Sequence, residues 1–261
     1  AINMVYGAAG AGARVMTSSS SPGISLKQEG ISYIVGAELP CLIVNMVRSG
    51  PGLGGIQAAQ SDYFQSVKGG GHGDYHLVVF APATIQEMVD LVQEGFDIAD
   101  QYRNPVMILG DGMLGQMMEP VEFRERKGRE LPAKDWATTG WKGDRPRAII
   151  NSLFIDPQEL EDHVHKMYKK YEAIQANETM VECYNCEDAE IIICAYGTTS
   201  RVVRSVIDKA KQVGIKLGLI RPITLWPFPT DTIREYAEKD HVMAFLTVEM
   251  SMGQMVEDVT L

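Results

Sequence analysis

Arg48 opens an RSGPGLGG stretch directly after the apolar run CLIVNMV at 41–47. A guanidinium keeps its charge and presents a fork of donors that matches a carboxylate. Glycines beside it let the backbone approach a ligand closely. A cation and backbone donors in one loop therefore predict a site for a carboxylate-bearing molecule, with Arg48 as the substrate-binding candidate. A surface loop carrying a solvated arginine is the alternative. A long glycine-rich loop at the carboxyl end of a strand favours function.

Other stretches offer chemistry of their own. TSSSSPGISLKQEG at 17–30 gathers serine hydroxyls, a Pro-Gly step and a helix start, which suits a polar or anionic ligand. An ordinary N-cap loop is an equal alternative. In KGGGHGDYH at 68–76, His72 and Asp74 lie in a glycine-rich loop, where His72 could act as acid or base near neutral pH or simply be solvated. GDG at 110–112 resembles the magnesium–diphosphate motif of thiamine enzymes, but the window where its downstream asparagine belongs reads AKDWATTGW, so a strand-end turn is expected. GAAGAGA at 7–13 precedes a strand instead of following one and fails as a dinucleotide fingerprint. Cys183 and Cys186 form a lone CxxC, one pair short of a closed metal site. Cys41 and Cys194 fall in apolar runs and read as small buried hydrophobes. His163 and His165 are two apart on a helix and face different ways. No metal site is expected in this chain.

These loops need a frame. RVMT at 14–17 and the apolar runs at 41–47, 77–81 and 105–109 read as strands, short and continuously apolar as in a parallel sheet covered on both faces. Helices are expected over 2–11, 24–36, 62–67 and 85–102. In the last, Thr84 and Glu87 make a capping box, and Ile85, Met88, Val92, Phe96 and Ala99 share one face. Alternating β and α units predict an open α/β sheet, whose ligands sit outside the carboxyl ends of the strands. Residues 122–156 break the pattern with charges, glycines and prolines, apart from a short strand at RAII, 147–150. Residues 157–176 read as a charged, solvated linker helix. A second α/β unit begins near Asp188. It runs from strand IIICAY through a helix capped by Thr199 or Ser200 and ended near Gly214, strand KLGLI and turn-rich RPITLWPFP, to a helix near 231–239 and strand VMAFLTVE. Both ends, AINMVYGAAGAGA and GQMVEDVTL, read as mid-helix, so an ordered part of a longer protein is expected.

The bulk numbers set outer limits. A chain of 261 residues fits one or two domains with a sizeable core. Its formal net charge of −10 argues against nucleic acid as a partner. The apolar runs fall far below the ~20 residues that span a bilayer, so no membrane partner is expected. With no signal-peptide pattern, a cytoplasmic location is the default.

Four segments together resemble the α subunits of 2-oxoacid:ferredoxin oxidoreductases: GAAGAGARVMTSSSSPGISLKQEGISY, ELPCLIVNMVRSGPGLGG, QSDYFQSVKGGGHGDYHLVVFAP and NPVMILGDGMLGQMMEPVEF. The likeness covers most of 1–125 and resumes at GTTSR, RPITLWPFP and VEMSMGQM. It implies a thiamine diphosphate-binding, transketolase-like pyrimidine domain with a mostly parallel sheet over 1–125. A linker with a charged helix follows over 126–186, and then a smaller α/β domain of transketolase C-terminal type over 187–261. It implies oxidative decarboxylation of a 2-oxoacid on thiamine diphosphate, with electrons passing through iron–sulfur clusters to ferredoxin and the acyl group to coenzyme A. By resemblance, Arg48 holds the substrate carboxylate and His72 and Asp74 lie near it. Ser19, Ser20, Ser21, Pro22, Gly23, Gly50, Pro51, Gly52 and Asp62 lie on the cofactor side, with Gln60 near or behind. A diphosphate-binding β subunit would hold magnesium and the diphosphate, and the iron–sulfur clusters would sit in partner subunits. A γ subunit and a ferredoxin-like subunit complete the expected assembly. The glutamate that activates the aminopyrimidine would precede residue 1, so the chain alone is expected to be inactive. Relatives that use 2-oxoglutarate often carry GPSTGLPT after the arginine, where this chain has GPGLGGIQ. The missing hydroxyls point to an apolar tail, as in 2-oxoisovalerate; the same reaction on 2-oxoglutarate or pyruvate is the alternative. A non-catalytic α/β interaction module is the competing class.

Overall fold

The computed structural model describes residues 1–125 and 128–261, and the first two positions of the expected linker, 126 and 127, lie outside the described residues. The first half comprises α1 (Ile2–Gly10), β1 (Met16–Ser19), α2 (Ser21–Ser25), α3 (Gln28–Gly36), β2 (Leu42–Val47), α4 (Tyr63–Val67), β3 (Val78–Phe80), α5 (Ile85–Tyr102) and β4 (Val106–Asp111). The second comprises α6 (Pro157–Glu178), β5 (Val181–Tyr184), β6 (Ile191–Cys194), α7 (Gly197–Gln212), β7 (Leu217–Pro222), β8 (Thr224–Trp226), α8 (Thr230–Ala237), β9 (Ala244–Thr247) and α9 (Met255–Thr260).

One sheet has the order β1-β2-β4-β3-β8, and its first four strands run parallel. β2 and β4 pair from Leu42 with Val106 to Val47 with Asp111 and are buried nearly throughout. Both of their faces are covered, which is why they read as continuous apolar runs. α5 starts as its sequence demands. Thr84 Oγ1 accepts from Glu87 N at 3.1 Å, and a Glu87 carboxylate oxygen accepts from Ala83 N at 2.6 Å. Arg103, at φ 49°, closes it in the left-handed conformation. Gly95 lets α5 lie on the sheet, because a Cβ there would stand 2.8 Å from a Leu42 methyl. The other sheet has the order β5-β7-β6-β9, parallel except for β5 at its edge.

Several expectations need correction. β1 lies two residues later than RVMT, so Ser18 and Ser19 belong to the strand and not to the loop. The single helix expected over 24–36 is two, α2 and α3. Residues 147–150 are not a strand; their β-branched side chains suggest one, but no neighbouring strand pairs with them. RPITLWPFP is more than turns. Its first residues extend β7, and the next form β8, which crosses to the other sheet and pairs antiparallel with β3. Neither Thr199 nor Ser200 caps α7; the helix starts at Gly197, and both hydroxyls donate back into its first turn, to Tyr196 O and Gly197 O.

α6 is not merely solvated. It buries Met167, Tyr171 and Ile174, and its lysines 166 and 170 both reach the Glu38 carboxylate. Burial pushes the Lys170 ammonium down to about 8 despite that carboxylate. Cys41 and Cys194 are buried as expected, and burial pushes both thiols up to about 12. Among the described residues, no helix is long and apolar enough to cross a membrane.

Candidate functional site

β1 and β2 run side by side, with Ser19 opposite Asn45, so both chains leave the sheet at the same edge. Ser20 is extended (φ −109°, ψ 163°) and leads into α2, with Pro22 in its first turn. Across from it, Arg48 N donates to Ser21 Oγ at 3.2 Å. The Arg48 guanidinium donates through Nε to Ser20 Oγ at 3.3 Å, and through Nη1 to Leu53 O and to Gly55 O, the latter at 3.4 Å. Among the described residues these partners are neutral oxygens, never a carboxylate. A guanidinium has five donors, so capacity remains for an anion.

The loop that follows folds back on itself. Ser49 N donates to Gln57 O at 3.1 Å, Gly55 N to Ser49 O at 3.1 Å, and Arg48 bridges to Ala58. Gly54 has φ +54°, and a Cβ there would fall 1.7 Å from Ser49 O, so only glycine closes this turn. Arg48 lines a cleft of about 500 Å³ with Ser21, Pro22, Asp62, Met252 and Gln254. Residues 50–52 lie along the same cleft. Below it, Asn45 is fully buried; its Nδ2 donates to Asp62 Oδ2 at 3.0 Å, while its Oδ1 has no partner.

Most sequence-predicted site residues thus meet in one place. Ser19 and Gly23 support it from behind: a Cβ on Gly23 would stand 1.9 Å from Ser19 Oγ. His72 and Asp74 are exposed and do not line the cleft. Their loop lies on α3, where Ser32 Oγ donates to His72 O at 2.5 Å and the His72 ring meets Tyr33 edge-on at 5.7 Å. GDG is a strand-end turn, as expected. Asp111 Oδ1 accepts from Met113 N at 2.9 Å and Leu114 N at 3.1 Å, and its other oxygen accepts from the Thr198 hydroxyl.

The sequence reading left one wall of the site unassigned. The turn after β9 closes over the cleft and is tied to residues 60–64. Gln60 N donates to Met250 O at 2.8 Å, and Met250 N donates to Gln60 Oε1 at 2.9 Å. Gln254 Nε2 donates to Ser61 O at 2.9 Å, and its Oε1 accepts from Phe64 N at 2.9 Å. Only VEMSMGQM, a stretch whose role was left open, hinted at this wall. A cleft of about 560 Å³ between α5 and α7 also carries arginines. There Arg201, Arg204 and Arg221 are each paired with glutamates, which leaves it less able to take up an anion.

Comparison with known proteins bears on the family and the fold. Residues 1–184 match the family model "Pyruvate flavodoxin/ferredoxin oxidoreductase", thiamine diphosphate-binding. Residues 189–261 match "Pyruvate:ferredoxin oxidoreductase core domain II". Ketoisovalerate oxidoreductase subunit VorB of Methanothermobacter marburgensis is 54% identical over 99% of this chain and 73% of its own length. 2-Oxoglutarate synthase subunit KorA of Methanothermobacter thermautotrophicus is 32% identical over 99% of this chain and 75% of its own. Among solved structures, 2-oxoglutarate:ferredoxin oxidoreductase from Magnetococcus marinus superposes with a TM-score of 0.82 at 25% identity, covering 99% of this chain and 50% of that one. A split-gene transketolase shares the fold, with a TM-score of 0.57 at 15% identity.

Proposed function

Because the chain belongs to the thiamine diphosphate-binding pyruvate flavodoxin/ferredoxin oxidoreductase family, we propose that it is the pyrimidine-side subunit of a 2-oxoacid:ferredoxin oxidoreductase acting on branched-chain 2-oxoacids such as 2-oxoisovalerate. The observation that carries this reading is the Arg48 guanidinium, held by neutral oxygens at the edge of a cleft. Arg48 takes the substrate carboxylate, and the fixed loop sets the direction in which the rest of the substrate points. GPGLGG offers no side-chain hydroxyl for a second carboxylate, which favours an apolar tail.

The site fits the aminopyrimidine side of the cofactor. The Asp62 carboxylate, on the cleft wall, is an acceptor of the kind that an amino-substituted ring satisfies, and buried Asn45 holds it through Nδ2. Residues 19–23, 50–52 and Asp62 would hold that ring. Bound thiamine diphosphate supplies the carbon nucleophile for the keto carbon and the sink for the electron pair left as carbon dioxide departs. The diphosphate end fits less well, because the Asp111 carboxylate is already engaged. Magnesium and the diphosphate therefore fall to a β subunit. A γ subunit and a ferredoxin-like subunit carry the remaining functions, with iron–sulfur clusters outside this chain, ferredoxin as acceptor and coenzyme A as co-substrate. Such an assembly works in the cytoplasm. His72 and Asp74 belong to the subunit surface in this reading and reach the reacting groups only across an interface.

The test is a substrate profile. The full-length protein is produced with its partner subunits, and coenzyme A-dependent dye reduction is followed with 2-oxoisovalerate, 2-oxoglutarate and pyruvate. The highest kcat/KM is expected with 2-oxoisovalerate. Equal or better use of 2-oxoglutarate removes the branched-chain reading, and no turnover of any 2-oxoacid favours a non-catalytic module.

A further inference from the structure

The turn after β9 is fixed more firmly than a surface turn needs to be. The Glu249 carboxylate accepts from Gln254 N, Met255 N and Val256 N at 3.0–3.2 Å and from Ser251 Oγ at 2.6 Å. The bonds from Met250 and Gln254 to residues 60–64 lock the turn against the loop that carries Arg48. Tyr63 OH adds a 2.6 Å bond to Asp258 behind it. Met252 stands at the apex of this frame with 104% relative exposure, although its backbone neighbours are pinned. Among the described residues it is the only long apolar side chain lining a cleft whose other walls are serine, glycine, proline, aspartate, arginine and glutamine. A fully exposed methionine contributes nothing to the core. A rigid turn holds it on the rim of the cleft that Arg48 lines, where its whole side chain is free to be covered by a bound molecule.

We infer that Met252 is the specificity-determining wall for the alkyl tail of the substrate, and that the second domain acts in the reaction by holding it opposite Arg48. This rests on the Arg48 reading above. With the carboxylate at Arg48, the opposite end of a small 2-oxoacid points away from the guanidinium. An unbranched, polarisable thioether there packs against a branched tail and itself offers a second carboxylate no hydrogen bond. Selection is against the dicarboxylate as well as for the alkyl group. One or two lost methyl contacts in an apolar subsite change discrimination by about tenfold or more.

The experiment compares Met252→Ala, Met252→Gln and Arg48→Ala in the enzyme assembled with its partner subunits. kcat/KM is measured with 2-oxoisovalerate, pyruvate and 2-oxoglutarate. Met252→Ala is expected to lower the 2-oxoisovalerate-to-pyruvate ratio about tenfold. Met252→Gln, of similar length but polar, is expected to shift preference towards 2-oxoglutarate, and it carries the test if the alanine variant does not assemble. Gel filtration and thermal melting report assembly and folding for each variant. Unaltered ratios in both Met252 variants, an equal loss on all three substrates, or an assembly defect with the ratios intact would each overturn the inference. If those results accompany a general loss in Arg48→Ala, only the Met252 inference falls. If Arg48→Ala also leaves every substrate unaffected, the cleft is not the substrate site and both readings fall together.

Discussion

Replacing Gln60 by alanine should loosen the contact between the two halves of the molecule. Gln60 is 3% exposed and satisfies groups from both. Its Nε2 donates to Tyr196 O at 3.0 Å, and its Oε1 accepts from Met250 N at 2.9 Å. Thr199 Oγ1 lies 3.4 Å from the same oxygen. Alanine leaves the Met250 amide without this partner in a closed interface, while the Tyr196 carbonyl keeps the Thr199 hydroxyl. A stranded buried group costs about 1–3 kcal/mol, which predicts a loss of about 2 kcal/mol before packing is counted. For a chain of this size each kcal/mol moves the melting midpoint by about 2–4 °C, which gives a fall of about 4–8 °C. Circular dichroism melts of the wild-type and Gln60→Ala chains measure it. Hydrogen exchange at the Met250 amide should rise at the same time, because its acceptor is gone. Gln60→Glu is the sharper control: it keeps an acceptor for Met250 N but sets an oxygen against Tyr196 O, and should lose at least as much. A midpoint shift below about 2 °C in both variants would refute the reasoning, since a stranded buried amide in one and two opposed oxygens in the other cannot cost so little.

Two further outcomes follow from named groups. Hydrogen bonding from Cys186 lowers the exposed Cys183 thiol to about 7, so its alkylation by iodoacetamide should rise with pH through that value and then level off, whereas buried Cys41 and Cys194 stay unlabelled. Cys186→Ala should move the midpoint up towards the ordinary thiol value, and a wild-type midpoint already there would contradict the assignment. Arg221 is 6% exposed and binds Glu87 through both terminal nitrogens, at 2.7 and 3.0 Å, and Glu182 through Nε at 2.7 Å. Arg221→Met takes the cation from Glu87, while Glu182 keeps Arg204, and should cost about 1–3 kcal/mol by thermal melting; a loss under about 0.5 kcal/mol would show that water already satisfies Glu87.

The legible parts of this fold were those decided locally. α5 could be read because Thr84, Glu87 and one apolar face lie within a few turns of each other. Arg48 could be read because a cation, glycines and a strand end sit next to one another in sequence. What escaped was decided at long range. β8 is three residues long between Ile223 and Pro227, and only its partner β3 makes it a strand. Residues 147–150 have the composition of a strand and no partner to make them one. Met252, Glu249 and Gln254 gain their meaning from residues 60–64, nearly two hundred positions away, which no local pattern encodes. His72 and Asp74 show what residue type leaves undecided. Their residue types suggested chemistry, but spacing cannot say which side of a loop faces the cleft, and their loop rests on α3.

The central claim is that Arg48 binds the carboxylate of a 2-oxoacid, and steady-state kinetics of Arg48→Ala in the assembled enzyme tests it most directly. The loss of a charged hydrogen-bond partner of about 2–4 kcal/mol predicts that kcat/KM for 2-oxoisovalerate falls roughly 30- to 1000-fold. The melting midpoint should stay close to wild type, because Arg48 is bound only by neutral oxygens of its own loop and of Ser20. A kcat/KM within about twofold of wild type, in a variant that folds and assembles, would contradict the account.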